Sequence, residues 1–178
     1  MSDIIKELSK PIEKQDLALT VKRVERTQEG KFKGMFVINK TSRSVYKRFN
    51  EVLGLGWKDE YEREGHNLVC TLSVREEGEW ISRKGVGTPS NIESVKGEYS
   101  DALKRASVAF GHGSELYQIP NIFIDLSDKE AFKTKWGYSI NPYKVNLKLW
   151  KFELEHDESG RIEKIKILDE KGRVRWEN

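Results

Sequence analysis

The 178-residue chain has few of the residues that build disulfide or metal frameworks. Its single cysteine, Cys70, excludes an internal disulfide and a cysteine-based zinc cluster. Its three histidines (His66, His112 and His156) are scattered, and no two of them have metal-ligand spacing. We therefore expect no metal and no cofactor. Cys70 lies between apolar residues of an apparent strand, so we expect it to be a small buried hydrophobe.

Long apolar runs and nucleotide-binding motifs are also missing. No segment is apolar enough to cross a membrane, and the first ten residues lack the apolar core of a signal peptide. There is no GxxxxGK[ST] phosphate loop, and we interpret the lone Gly85-Val86-Gly87 as turn glycines. No catalytic motif stands out, so we expect a protein that is not an enzyme and has no membrane partner.

Charge is spread unevenly along the chain. The net charge is only +3, from 32 lysines and arginines and 29 acidic residues. Residues 20–48 nevertheless carry nine lysines and arginines against Glu25 and Glu29, which gives this segment +7 and leaves the rest at −4. A basic segment of this kind is typical of a nucleic-acid site. A solvated charged surface is the alternative explanation.

Hydrophobic periodicity predicts an α+β fold built on antiparallel strands. Strands are expected at residues 19–27 and 32–39, and a helix is expected to begin near Ser42 and to end at Gly54. Three strands joined by short turns follow at residues 57–63, 68–75 and 79–84, and turns this short require an antiparallel meander. Residues 91–110 are expected to form one long helix, whose apolar stripe comprises Ile92, Val95, Tyr99, Ala102, Leu103, Ala106, Ala109 and Phe110.

The remaining segments complete the predicted organisation. A short strand is expected at residues 119–126, a polar connection at 127–143, and a β-hairpin from 145–155 and 161–168. The fold class is therefore an antiparallel β-meander packed with a long helix, a β-β-β-α type core, plus a C-terminal β-hairpin. We expect a core domain at residues 1–126 and a connection with the hairpin extension at 127–178.

Cations at two helices are the candidate binding residues. Arg43 stands at the entry of the first helix, where unpaired N–H groups and the helix dipole favour a phosphate and an arginine adds bidentate donors. Lys104 and Arg105 lie outside the apolar stripe of the long helix. Two alternatives remain open, because Arg43 could simply be solvated and Arg105 could pair with Asp101 four residues earlier.

The segment SVKGEYSDALKRASVAFGHGSELYQIP resembles the signature of phage Sak-type single-strand annealing proteins, which belong to the superfamily of the eukaryotic recombination mediator Rad fifty-two. Three further segments agree in order and spacing: KPIEKQDLALTVKR, SRSVYKRFNEVLGLGW, and LVCTLSV followed by GEWISRKGVG. The resemblance covers residues 9–125 well and the tail loosely. Two departures are Val108, where eukaryotic members have a cation, and Ser114, where the family often has an arginine.

The resemblance implies a ring homo-oligomer that binds single-stranded DNA in a basic groove and anneals complementary strands in DNA recombination and repair, without ATP. It matches Arg43, Lys104 and Arg105 to the family's DNA-contacting positions. Arg83 and Lys84, in the hairpin before the glycine loop, are weaker DNA-binding candidates. It also implies a location in the bacterial cytoplasm, with an exonuclease or a single-strand-binding protein as a further partner.

Two other classes of function remain open from the sequence. A metal-dependent nuclease could collect its carboxylates from several elements, which no sequence pattern would reveal. A monomeric nucleic-acid-binding adaptor could present the same basic surface. Metal-dependent cleavage of DNA would distinguish the first class, and a monomeric mass in solution would distinguish the second.

Overall fold

In the computed structural model, residues 3–88 and 94–178 are described, and they form an α+β fold of mostly antiparallel strands with few helices. These residues divide into two compact units. Unit 1 comprises the described residues of 1–17 and 40–117, and unit 2 comprises 18–39 and 118–178. The predicted domains, residues 1–126 and 127–178, are each continuous in the sequence. Each of the two units instead combines two separate segments of the chain.

Unit 1 contains the predicted meander. Strands β3 (Trp57–Glu64), β4 (Asn67–Glu76) and β5 (Glu79–Val86) pair antiparallel in this order. The helices of unit 1 are α1 (Asp3–Leu8), α2 (Ser42–Leu53) and α3 (Ser94–Val108). One side of β4 is buried through Cys70, Leu72 and Val74, together with side chains of α1, α2 and α3. Cys70 is fully buried as expected, and burial raises the pKa of its thiol to about 11.

Helix α3 differs from its prediction in length and in its buried face. It ends at Val108, two residues before the predicted end, and predicted positions 91–93 lie outside the described residues. Val95 and Tyr99 were expected in the buried stripe but are 62% and 42% exposed. Glu98 is buried instead, and Arg63 Nη2 lies 2.8 Å from Glu98 Oε2. The stripe is therefore correct only in the second half of the helix, at Ala102, Leu103, Ala106 and the following Phe110.

Two glycines allow strand β5 to approach α3 closely. A Cβ atom on Gly85 would overlap the Ala106 amide nitrogen and the Ala102 carbonyl oxygen. A Cβ atom on Gly87 would overlap the Glu98 carbonyl oxygen. Gly85 lies inside β5, so the interpretation of this GxG as turn glycines was wrong. The glycines serve close packing of a strand against a helix, one of the roles that the lack of a side chain makes possible.

Unit 2 holds a five-stranded sheet in the order β6-β2-β1-β8-β7. Its strands are β1 (Leu17–Arg26), β2 (Phe32–Lys40), β6 (Ile122–Leu126), β7 (Ala131–Thr134) and β8 (Gly137–Ile140). The hairpin β7–β8 was missed, because residues 127–143 were expected to form a polar connection without strands. Its strands are only four residues long, and alternation over so few residues is a weak signal.

A second sheet of unit 2 has the order β11-β10-β9. Strands β9 (Lys151–His156) and β10 (Ile162–Leu168) form the predicted C-terminal hairpin, and β11 (Val174–Glu177) pairs antiparallel with β10. The first strand begins at Lys151, not at Val145, because backbone hydrogen bonds from Val145 to Asn141 and from Leu149 to Asn146 form turns before it. Across the described parts of both units, no helix is long and apolar enough to cross a membrane.

Candidate nucleic-acid interface

Arg43 stands in the first turn of α2, in unit 1. Thr41 caps this helix, because its side-chain oxygen accepts a hydrogen bond from the Ser44 amide at 3.3 Å. Ser42 and Arg43 are the first two residues of the helix, so no carbonyl one turn earlier can accept from their amides. The Arg43 side chain is exposed, and within residues 3–88 and 94–178 it makes no hydrogen bond or ion pair. This helix start therefore offers donors and a free positive charge.

Lys104 lies close to the same helix start. The Ser42 and Ser100 hydroxyl oxygens are 3.4 Å apart, which joins the beginning of α2 to the middle of α3. Lys104 follows Ser100 by four residues, so both project from the same side of α3. The Lys104 ammonium, half-buried, makes no ion pair with any residue that the structure describes. Arg43 and Lys104 together are called the α2–α3 cation site.

A buried polar cluster lies beneath this site. Lys40 Nζ donates to Ser107 Oγ at 2.9 Å and to the His112 carbonyl oxygen. The Ser107 hydroxyl donates in turn to the Lys104 carbonyl oxygen at 2.8 Å. Ser44 Oγ lies 3.2 Å from His112 Nε2. These four residues (Lys40, Ser44, Ser107 and His112), called the Lys40 cluster, join the start of α2 to the end of α3.

Burial dominates the protonation of the Lys40 cluster. It is the main reason why the pKa of Lys40 falls to about 7, an effect that Glu115 opposes and Lys104 reinforces. Burial also lowers the pKa of His112 to about 3, and Lys40 adds to that effect. The imidazole is therefore neutral near neutral pH, and the Lys40 ammonium is held close to its titration point.

Arg105, unlike Lys104, has an anionic partner in the described part of the chain. Its Nε donates to Asp101 Oδ2 at 2.8 Å, and Asp101 also accepts from the Thr88 amide at 3.1 Å. The hydrogen bond from Arg105 is thus the pairing that the sequence left open as an alternative. Half of the Arg105 side chain is exposed, and its terminal nitrogens have no hydrogen-bond acceptor among the described residues. Arg105 is therefore oriented by Asp101 and still presents donors to solvent.

The weaker candidates Arg83 and Lys84 lie on opposite sides of the meander. Arg83 is opposite the buried Leu72 in the register, so it faces the same side as α3, and its guanidinium lies 5.9 Å from the Phe110 ring centroid. Lys84 projects from the other side, where its Nζ lies 3.1 Å from Glu62 and 2.6 Å from Glu64. The structure thus brings Arg83 to the helix side of the sheet and leaves Lys84 away from it.

The basic segment at residues 20–48 does not form one surface. Its first five cations lie in unit 2 and its last four in unit 1. Lys47 is paired with Glu13 and Asp16, and Arg48 donates to three backbone carbonyls. Of its four unit 1 cations, Arg43 alone is both exposed and without a partner in the described part of the chain.

Sequence reasoning missed the Lys40 cluster, although a signal for Lys40 exists. The inward positions of β2 alternate, and Phe32, Phe36, Ile38 and Lys40 follow the same parity. This parity places Lys40 on the buried side, whereas the charge count treated it as a surface cation. His112 carries no comparable signal, because it lies in the turns after α3.

No family model, no curated protein and no solved structure matches this chain. Among residues 3–88 and 94–178, no group of three or more His, Cys, Asp or Glu side chains is arranged to hold a metal ion. The arrangement of the cations is therefore the feature that indicates a function.

Proposed function

We propose that this protein binds single-stranded DNA through its phosphates, without sequence specificity, and anneals complementary strands. The observation that carries the proposal is the α2–α3 cation site. Arg43 adds an unpaired guanidinium to a helix start whose amides are free, and Lys104, one turn after Ser100 on α3, adds a second unpaired charge near this helix start. Helix N-termini and arginines both favour phosphate, and their combination supports backbone recognition.

Arg105 and Arg83 extend the proposed path of the DNA backbone. Arg105 follows Lys104 on α3 and keeps its terminal nitrogens accessible, and Arg83 lies on the side of the meander that faces α3. None of these cations can read base identity through a phosphate, so we expect binding that is indifferent to sequence and strongly dependent on salt. Lys84 is not part of this path, because it is held by two glutamates on the other side of the sheet.

The annealing step needs no nucleotide in this proposal. A protein that holds phosphates leaves the base edges of an extended strand available to a complementary strand, and base pairing supplies the free energy. We further propose that the meander and α3 act as the β-β-β-α core of a ring-forming subunit. The outer edges of β3 and β5 have no strand partner within the described residues, which leaves both edges available for association.

The annealing rate of complementary oligonucleotides tests this function. We expect the wild-type protein to anneal them without ATP or divalent metal, and the triple variant Arg43→Ala/Lys104→Ala/Arg105→Ala to be much slower. The triple variant should remain folded, because none of the three side chains belongs to the buried core and the two exposed ones, Arg43 and Arg105, should each change stability by only about 0.5 kcal/mol. If the triple variant is folded and still anneals DNA at the wild-type rate, the assignment of these residues to the DNA site is wrong.

The same samples address the two alternative functions. Magnesium-dependent shortening of the oligonucleotides would favour the nuclease, and light scattering that reports a monomer with and without DNA would favour the adaptor.

A further inference from the structure

Unit 2 contains an open groove of about 790 Å³ that none of the sequence motifs pointed to. Three lysines from three different turns line it: Lys129, Lys144 and Lys171. Tyr143 lies on its wall and is 93% exposed. Lys129 and Lys144 are 15 residues apart, and Lys144 and Lys171 are 27 residues apart. They are therefore not a local run of charge, and the fold brings their turns to one groove.

Arg175 and Asn141 fix these turns to one another. Arg175 donates to Glu130 Oε1 at 2.8 Å and to the Asp125 carbonyl oxygen at 2.9 Å. The Asn141 side chain donates to the Lys129 carbonyl oxygen at 3.2 Å. Arg175 also lies 4.8 Å from the ring centroid of the buried Trp150. The turn that carries Lys129 is thus attached to strand β11 and to the turn that carries Lys144.

The turn of Lys171 is fixed by a buried carboxylate. Asp169 is 2% exposed, and its Oδ1 accepts from the amides of Lys171 and Arg173 at 2.9 and 3.0 Å. Burial acts to raise the pKa of Asp169, but hydrogen bonds from Arg173 and from these amides lower it overall. The carboxylate therefore stays ionised and holds the turn while the lysine side chain remains exposed.

Charge in the groove is unbalanced because its carboxylates are occupied. Glu130 pairs with Arg175, Asp125 lies 3.7 Å from Lys33 Nζ, and Glu170 accepts from the Trp150 indole at 3.0 Å. The ammonium groups of the three lysines have no hydrogen-bond or ion-pair partner in the described part of the chain. The three lysines are therefore unpaired, and the lining of the groove carries five cations against three carboxylates.

We propose that this groove, called the turn groove, is a second contact for single-stranded DNA, in which the lysines bind successive phosphates and Tyr143 stacks on a base. The assignment rests on the proposed function for the choice of polyanion. Unpaired lysines next to an exposed aromatic ring are the combination that backbone tracking with base stacking requires. The volume suits a few nucleotides and not a folded partner.

The test compares the salt dependence of binding for two variants of the full-length protein, with a fluorescein-labelled oligothymidylate as the probe. The first variant is Lys129→Ala/Lys144→Ala/Lys171→Ala. The matched control, Lys31→Ala/Arg161→Ala/Lys164→Ala, removes the same charge from unit 2, but its three cations are ion-paired and lie outside the turn groove. We expect the first variant to have a slope of log affinity against log salt that is shallower by about two units, and the control to match the wild type.

Tyr143 supplies a second readout that charge removal alone does not give. Tyr143→Ala should weaken binding roughly tenfold without changing the salt slope, and Tyr143→Phe should bind like the wild type. Equal slopes for the wild type and the lysine variant would overturn the turn groove and leave the proposed function intact. Equal losses in the lysine variant and its control would overturn it too, because general charge would then explain the effect. A wild-type protein that binds no oligonucleotide would overturn the proposed function itself.

Discussion

The α2–α3 cation site of unit 1 and the turn groove of unit 2 both present unpaired cations, but they support them differently. In unit 1, Arg43 and Lys104 lie near the buried Lys40 cluster, whose lysine has a pKa of about 7. In unit 2, the lysines extend from turns that Arg175 and Asp169 hold by ionic contacts. The first site is supported by a cluster that titrates near neutral pH, and the second by carboxylates that remain ionised.

This difference shows that the partners of the cations, more than their number, decide which surface presents unpaired positive charge. Residues 20–48 have the highest positive charge in the sequence, yet most of these side chains are paired or buried. Two of the three turn-groove lysines, Lys129 and Lys171, have an acidic neighbour in the sequence, Glu130 and Glu170. Only the contacts show that those acidic residues are already engaged.

The largest expected effect is loss of the packing between α3 and β5. Gly85→Val would place a side chain against the backbone of Ala102 and Ala106, which cannot move aside without displacing α3. We expect unfolding to be easier by about 3 kcal/mol or more, measured by urea denaturation. The neighbouring Val86→Ala, at an exposed position, is the control and should change stability little. A Gly85 variant as stable as the wild type would show that the close approach is not needed.

The next effect is a pH dependence that only unit 1 should show. The pKa of Lys40 is about 7 in the folded protein and near 10.5 when unfolded, so the unfolded chain binds more protons between these values. Stability should therefore rise with pH across this window, by up to a few kcal/mol, and should lack this rise in Lys40→Met. Urea denaturation of both proteins at pH 7 and pH 10 measures the difference. Parallel pH profiles would mean that Lys40 titrates normally.

A smaller effect is expected from the ionic support of the turn groove. Arg175→Ala removes the contacts to Glu130 and to the Asp125 carbonyl, and leaves a half-buried carboxylate without its partner. We expect a loss of about 2 kcal/mol in urea denaturation. Arg161→Ala, which removes an exposed pair with Asp157, should cost much less. Equal costs would indicate that Arg175 does not fix the turns.

The smallest effect concerns Asp101 and Arg105. Their pair should contribute about 0.5 kcal/mol, so Arg105→Ala should lower stability slightly, and Asp101→Ala should lower it somewhat more because it also removes the acceptor of the Thr88 amide. Their effects on DNA binding should differ, because Asp101→Ala frees a cation and Arg105→Ala removes one. If oligonucleotide titrations show the same affinity for both variants, Arg105 only pairs with Asp101.

The sequence predicted the elements whose signals are local. The antiparallel meander, helix α2 and the β9–β10 hairpin follow from periodicity and turn residues, and they occur close to the expected positions. The first half of the α3 stripe was wrong, because Glu98 is buried there through its pair with Arg63, and Gly87 approaches the same turn. Hydrophobic periodicity cannot show that a buried glutamate is paired with an arginine far away in the sequence.

The candidate site could be predicted in part for the same reason. Arg43 and Lys104 were identified from helix position, which is local information. The approach of α3 to the start of α2 depends on the Ser42–Ser100 contact, and the pairing of Lys84 depends on glutamates about 20 residues away in β3. The turn groove was missed because it depends on contacts between distant segments, such as that of Glu130 with Arg175 of β11, 45 residues later.

The salt dependence of single-stranded DNA binding by Arg43→Ala/Lys104→Ala tests the central claim most directly. Its matched control is Lys58→Ala/Lys84→Ala, which removes two paired lysines from the other side of the β3–β5 sheet. If Arg43 and Lys104 each neutralise one phosphate, the slope of log affinity against log salt should become shallower by about 1.4, while the control keeps the wild-type slope. A wild-type slope in the Arg43/Lys104 variant, or an equal change in the control, would contradict the account.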